Sequence, residues 1–258
     1  MSEAGAAVDR QAARVAVVVF PGTNSEDETI DACRDAGMDA RLFWWSEDPE
    51  SLRAFDAYVF SGGFAHEDRV RAGAIASKSP LVTVVREEAE RGKLILGICN
   101  GAQILAESGM IGDVAIGRNL PSRHYQCRFV DVVAGDEPGR CAFTRFLEPG
   151  ASLRMVAAHA EGRFTGDARY FDDLEERGRI VLRYAGKAHN GAMHGAAGIC
   201  NDDGNVLALM PHPERAAWAF NVAFDDPSLR SDEPNRPVGA HAIFESMARS
   251  LRDLKAVR

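Results

Sequence analysis

Leu94-Ile95-Leu96-Gly97-Ile98-Cys99-Asn100-Gly101-Ala102-Gln103 runs from an apolar segment into a cysteine boxed by two glycines, and a helix-like segment follows. A strand that ends this way delivers its last side chain to a tight turn. Small residues on either side let the backbone pass closely. A cysteine at that point is placed to attack a carbonyl. The amide of the next residue, Asn100, would point toward the oxyanion that develops. This pattern predicts a strand over 94–98, a nucleophile elbow at Cys99, and a helix over 102–107.

A thiol at a turn does not by itself make a site, because cysteines in intracellular domains are more often inert, small and buried. A second stretch changes the reading. Val206-Leu207-Ala208-Leu209 is another apolar strand, and Met210-Pro211-His212-Pro213-Glu214-Arg215 follows it directly. His212 and Glu214 supply a base and an orienting carboxylate two residues apart. Nucleophile, base and orienter are the parts that cysteine-based acyl transfer needs.

Further out, the first half alternates strand and helix patterns. Residues 15–20 form a continuous apolar run, as in a strand covered on both faces. A helix is expected over 26–36, closed by Gly37, with strands at 40–44 and 57–60, the latter ending in Gly62-Gly63. Ser79-Pro80 signals the start of a helix that runs to about residue 91 and ends at Gly92. Such alternation implies a parallel sheet with helices on both faces. Reactive groups then collect beyond the carboxyl ends of the strands, where Gly62-Gly63, Cys99 and His212 would meet. From 119 to 210 the pattern becomes more antiparallel, with strands at 125–133, 152–157, 180–184, 198–200 and 206–210, and a turn at Asn201-Asp202-Asp203-Gly204. Residues 220–238 read as an irregular surface loop. Residues 241–254 read as an amphipathic helix with Ile243, Phe244, Met247 and Leu251 on one side. The organisation expected is a loose tail over 1–13 and one domain over 14–258.

The bulk properties fit a globular domain. The chain has 258 residues, 46% hydrophobic and 26% charged, enough for one large core. A formal charge of −8, with no basic cluster, argues against nucleic-acid binding. Cys33, Cys99, Cys127, Cys141 and Cys200 are odd in number and widely spaced, with no C-x-x-C pair. That points away from a zinc knuckle or a redox dithiol and toward a reduced, cytoplasmic protein. The first thirteen residues carry no apolar signal core. No G-x-x-x-x-G-K-[ST] loop offers a phosphate cradle of that type.

These residues resemble the class I, triad-type glutamine amidotransferases. Within that class they are most similar to the family of glutaminase subunits of phosphoribosylformylglycinamidine synthase. Phe20-Pro21-Gly22-Thr23-Asn24 resembles the F-P-G-[ST]-N segment of that family. Ser61-Gly62-Gly63-Phe64 with Arg71-Ala72-Gly73-Ala74-Ile75-Ala76 resembles its P-G-G-F…R-A-G-A-I-A stretch. Gly97-Ile98-Cys99-Asn100-Gly101-Ala102-Gln103, Ala158-His159-Ala160-Glu161-Gly162-Arg163-Phe164, Asn190-Gly191 and Met210-Pro211-His212-Pro213-Glu214-Arg215 follow in the family's order. The resemblance spans about residues 14–251. It departs from the family at Ala65-His66-Glu67-Asp68, where S-Y-G-D is usual, and at Ala160, where glycine is preferred.

The resemblance implies an α/β, flavodoxin-like three-layer sandwich with a mostly parallel central sheet and additional antiparallel strands in the second half. It implies hydrolysis of L-glutamine by Cys99, His212 and Glu214, without a metal. Gly62, Gly63, Phe64 and Asn100 would hold the oxyanion, and Gln103 would either line the site or bond the loop. The ammonia would pass to a large synthetase subunit, with a small bridging subunit as a further partner. ATP and Mg²⁺ are expected on that partner and not on this chain, and the product would be formylglycinamidine ribonucleotide for purine biosynthesis. A glutaminase subunit of another synthetase, or a non-catalytic regulatory subunit of the same fold, are the alternatives. His159 and Glu161 repeat the H-x-E spacing and are expected to be structural or to contact a partner. His66, His124 and His194 read as loop or surface residues, and Trp44-Trp45 as packing at a strand end.

Overall fold

The computed structural model describes residues 12–230 and 233–257. The loose tail expected over 1–13 lies outside the described residues except for its last two. Of these, Ala13 is buried, and its carbonyl accepts a bond of 2.9 Å from the Asp39 amide.

The chain order is β1 (Arg14–Val19), α1 (Glu26–Asp35), β2 (Asp39–Trp44), β3 (Ala57–Phe60), α2 (Pro80–Glu90), β4 (Leu94–Ile98), α3 (Asn100–Glu107), β5 (Ala115–Arg118), β6 (Gln126–Ala134), β7 (Ser152–His159), β8 (Glu161–Thr165), α4 (Ala168–Glu176), β9 (Ile180–Tyr184), β10 (Ala196–Cys200), β11 (Val206–Leu209), α5 (Ala219–Val222) and α6 (Ala242–Val257). Nine strands form one sheet in the order β2-β1-β3-β4-β11-β10-β9-β6-β7. The first five are mutually parallel, and the pairings from β11 to β7 are antiparallel. This is the expected mixed α/β architecture.

The pattern of side chains explains the split. β1, β3, β4 and β11 are buried almost throughout, as their continuous apolar runs require of strands covered on both faces. β7 alternates along most of its length, as expected of an antiparallel edge strand with one wet face. Right-handed crossovers carry β1 to β2 and β3 to β4 in opposite directions along the sheet, which places α1 and α2 on opposite faces. The Ser79 hydroxyl caps α2 by accepting from the Leu81 amide, with Pro80 in the first turn.

Three elements differ from the sequence reading. The helix after the elbow starts at Asn100 and not at residue 102, because the elbow turn is complete at Cys99 itself. A second sheet pairs β5 with β8: β5 carries no two-residue period, and β8 alternates over only five residues with Gly162 and Phe164 inward, too short a signal to read. Helix α4 was not expected. Its signals are short: Asp167 caps the amides of Arg169 and Tyr170, and Phe171 and Leu174 are the residues it buries fully, with Tyr170 partly buried against the core. The 220–238 segment is irregular as expected, yet it is anchored. Ala219, Phe220 and Val238 bond to Arg236, Pro234 and Ala217.

The antiparallel half curls back on the parallel half. β7 is the last strand of the sheet, yet Val156 pairs with His212 in the loop after β11, with bonds of 2.7 and 3.4 Å. The carboxyl ends of β1, β3, β4, β11 and β7 therefore meet at one edge.

Candidate active site

Four loops meet at that edge. Cys99 stands between β4 and α3 with φ 51° and ψ −103°. A non-glycine residue held there stores on the order of 1–3 kcal/mol of backbone strain, which the packing around it sustains. The packing is visible at Gly101, where a Cβ would fall on the carbonyl oxygen of Phe60 in β3. Only glycine lets the helix start this close to the neighbouring strand. The Cys99 thiol is 5% exposed, and its Sγ lies 3.7 Å from the carbonyl oxygen of Ala158 at the end of β7.

His212 is within hydrogen-bonding reach of the Cys99 thiol. Its Nδ1 lies 2.5 Å from Glu214 Oε1, and both residues are fully buried. Burial alone would lower the imidazole pKa. The Glu214 carboxylate and the Cys99 sulfur in its thiolate form outweigh it and raise His212 from 6.5 to about 10. The base is thus oriented on one nitrogen by a carboxylate and faces the thiol with the other. Gly62 makes room for this ring, since a Cβ there would lie 2.5 Å from His212 Cε1.

The loop after β3 is braced by the loop after β1. The Gly62 amide donates to Ser25 Oγ at 2.8 Å, and the Phe64 amide donates to the Gly22 carbonyl at 2.8 Å. Two of the four expected oxyanion donors are therefore engaged. The Gly63 amide has no partner among the described residues, and Asn100 opens α3 with its amide free of any i−4 carbonyl. Phe64 is 45% exposed at the mouth.

The side chain of Asn100 ties the site together. Its Oδ1 accepts from the Ala65 amide at 2.9 Å, and its Nδ2 donates to Asp68 Oδ1 at 2.9 Å and to Gln103 Oε1 at 2.8 Å. Gln103 Nε2 donates to the Glu161 carbonyl at 2.6 Å. Of the two roles open for Gln103, the geometry gives it the bracing one, linking the elbow helix to the β7–β8 turn. Asn24, in turn, accepts from Arg215 Nη2 at 3.1 Å and joins the loop after β1 to the loop after β11.

The segment that departs from the family pattern is strained. His66, Glu67 and Asp68 all have left-handed backbones, and so does the β-branched Val70, which is 87% exposed. The His66 ring is partly buried between Phe20 and Trp45. Trp44 and Trp45 themselves stay half exposed. Burial, opposed by the Asn100 amide and reinforced by Glu161, raises the Asp68 carboxyl from 3.8 to about 6. The native pKa lies above the unfolded one, so the charged form costs stability as pH rises from about 4 through 6. Asp68→Asn keeps the acceptor and removes the charge. Allowing for the half-exposed position, it is expected to add about 1 kcal/mol at pH 8, or about 2–4 °C in Tm. The gain should be absent at pH 4. A thermal melt at the two pH values checks this, and an equal shift at both would contradict it.

His159, the other member of an H-x-E pair, is 3% exposed and bonds through Nδ1 to Asn119 Oδ1 at 3.0 Å. The Glu161 carboxylate pairs instead with Arg118. His124 and His194 are exposed. Ser25, Asp68, Asn119 and His189 are site-edge residues that sequence reading did not single out. Ser25 precedes a helix and carries the residue type of a helix cap, but its hydroxyl serves Gly62 across 37 positions. Among the described residues no cluster of His, Cys, Asp and Glu is placed to hold a metal ion, and no helix is long and apolar enough to cross a membrane.

Known proteins share this chain's sequence pattern and its fold. The family model of the CobB/CobQ-like glutamine amidotransferase domain matches residues 12–248. Phosphoribosylformylglycinamidine synthase subunit PurQ of Methanothrix thermoacetophila is 40% identical over 266 residues, covering 94% of this chain and 100% of that protein. The protein of the same name from Thermus thermophilus is 41% identical, covering 79% of this chain and 89% of its own length. A chain in the structure of PurLQS from Thermotoga maritima superposes with a TM-score of 0.73 at 30% identity, covering 96% of this chain and 100% of that one. A Thermoplasma acidophilum chain described as belonging to a GMP synthase, at 15% identity and a TM-score of 0.60, shares the fold.

Proposed function

Since the chain belongs to the CobB/CobQ-like glutamine amidotransferase family, matched over residues 12–248, we propose that it is the glutamine-hydrolysing subunit of a phosphoribosylformylglycinamidine synthase. The observation that carries the reading is the strained Cys99 elbow facing a buried His212–Glu214 pair.

In this reading the Cys99 proton already rests on His212, whose charged form Glu214 supports, and the thiolate of this ion pair attacks the side-chain amide carbon of L-glutamine. The oxyanion is held by the amides of Gly63 and Asn100, the two donors that bracing leaves free. Each such donor is worth about 3 kcal/mol in the transition state. The His212 imidazolium then gives its proton to the departing nitrogen, which leaves as ammonia. Water cleaves the γ-glutamyl thioester, releases glutamate and restores the thiol. Glu214 holds Nδ1 of His212 throughout and stabilises the charged ring. The ammonia passes to a separate synthetase subunit, which uses ATP and Mg²⁺ to form the amidine. A small bridging subunit would complete the assembly, and the cytoplasm is the compartment that suits five cysteines with no disulfide.

Intact-mass measurement after reaction with a glutamine-like diazo-ketone tests the site directly. One adduct on Cys99, blocked by L-glutamine, is the expected result. Labelling spread over several cysteines, or indifferent to glutamine, would overturn it in favour of a regulatory subunit of the same fold.

A further inference from the structure

Two histidines stand beside the candidate active site without a role in the mechanism above. His159 ends β7, and His189 lies in the segment after β9. β7 and β9 run in the same sense as the parallel strands, so both residues reach the edge that holds Cys99. The rings of His159 and His189 lie 5.7 Å apart, and His189 meets the ring of Tyr184 edge-on at 4.8 Å. The residue before His159 is Ala158, whose carbonyl oxygen faces the Cys99 thiol. Tyr184 lies within electrostatic range of Cys99, and His159 within range of His212.

The tautomer of His159 follows from its neighbour. Asn119 Nδ2 donates to the carbonyls of His124 and His159 at 3.1 and 2.8 Å, which fixes the amide orientation. Asn119 Oδ1 must then accept, and it does so from the Gly162 amide at 3.2 Å. It is also the partner of His159 Nδ1, which therefore carries the ring proton. His159 Nε2 is left as a lone-pair acceptor. It is buried and has no partner among the described residues, and the same holds for His189 Nε2. An unsatisfied buried acceptor costs on the order of 1–3 kcal/mol, so the His159 acceptor, with a second unpartnered imidazole nitrogen on the neighbouring His189 ring, points to a small donor that visits them.

We propose that His159 and His189 receive the ammonia released at Cys99 and hold it as a neutral base on its way to the synthetase. The inference rests on the glutaminase reading above. No covalent bond forms: ammonia donates N–H to His159 Nε2 and to His189 Nε2 in the ring tautomer that carries its proton on Nδ1, and its lone pair stays unprotonated. The electrostatics suit this role. Burial, with the neighbouring His189 and His212, lowers His159 to about 3, and burial with Arg128 lowers His189 to about 4. At neutral pH both rings are uncharged, and the single N–H of a neutral imidazole is far too weak an acid to protonate ammonia. A cationic ring here would turn ammonia into ammonium, which is no nucleophile.

The test uses the chain assembled with its synthetase and measures glutamate formed per amidine formed. His189→Phe keeps the ring against Tyr184 and removes the acceptor, and His159→Phe does the same at the buried position. Each is expected to raise the ratio by roughly threefold to tenfold, the partition change for losing one hydrogen bond to the departing molecule. His159→Gln, which restores an acceptor, should lie closer to wild type. Synthesis from added ammonium chloride should stay at the wild-type rate in all three. A ratio equal to wild type in His189→Phe would overturn the proposal, even if glutamate and amidine formation fall together. If His159→Phe fails to fold, His189→Phe alone decides. Failure of the glutaminase reading looks different: wild type would then form no glutamate from glutamine at all.

Discussion

Cys99→Ala, assembled with the synthetase, is expected to lose amidine synthesis from glutamine by about a millionfold, the scale seen when a covalent nucleophile is removed from a preorganised triad. Synthesis from ammonium chloride should persist at the wild-type rate. The reason is a division of labour. The thiol, the base and the oxyanion amides act on glutamine alone, and nothing in this chain touches the phosphate chemistry of the partner in the proposed scheme. Removing Sγ gives up its contact with the Ala158 carbonyl at 3.7 Å and its interaction with His212 but leaves the elbow glycines in place, so the fold should hold. Alanine also tolerates the left-handed turn no worse than cysteine does. Equal loss of the glutamine-dependent and ammonia-dependent rates would sink the claim that the chain only supplies ammonia.

Glu214→Gln carries the second large effect. The carboxylate is 0% exposed, lies 2.5 Å from His212 Nδ1, and has Oε2 buried without a hydrogen-bond partner among the described residues. Its negative charge is the largest of the effects that overcome the burial of His212, with Cys99 adding to it. The amide is nearly the same shape but neutral. If it presents oxygen, the ring keeps its tautomer and loses the support for its charge. If it presents nitrogen, the proton is forced onto the wrong side of the ring. Either way glutamine hydrolysis is expected to fall by about 10³–10⁴ in kcat, with a smaller change in KM. The pH profile supplies a readout that mere misfolding would not give. With Glu214 the imidazolium persists to about 10. Without it, burial drives the pKa down, so the limb that reports loss of the imidazolium should move to lower pH. A kcat within tenfold of wild type and a superimposable profile would mean that Glu214 is not the orienting group.

The parallel half of the sheet was legible because each strand buried on both faces writes a continuous apolar run, as in 15–20 and 94–98. The elbow was legible because a tight turn constrains its immediate neighbours, and Gly97 and Gly101 record that constraint within two positions of Cys99. The His212-x-Glu214 pair was legible for the same reason of proximity. β5, β8 and α4 were not. β5 and β8 have only each other as partners, and β8 alternates with a glycine as one of its two inward residues; α4 sets only Phe171 and Leu174 fully in the core, with Tyr170 beside them, so each signal is short. Ser25, Asp68, Asn119 and His189 stayed hidden because each acts through a partner far away in the chain. Their types carry no local signal of it: a serine before a helix reads as a cap, and an asparagine in a loop reads as a turn.

The sequence by itself determined the doubly covered strands, the elbow cysteine and the histidine with its carboxylate, since all of these follow from local sterics and hydrophobic periodicity. Only the tertiary structure decided which backbone amides are free to hold an oxyanion, because the Ser25 hydroxyl and the Gly22 carbonyl had first to claim those of Gly62 and Phe64. Only it decided that the last strand of the sheet returns to the loop after β11 through Val156 and His212, which brings His159 to the thiol's side. Hydrogen bonds of this kind are satisfied between segments tens of residues apart, and their partners are chosen by the packing of the sheet, not by neighbours in the chain.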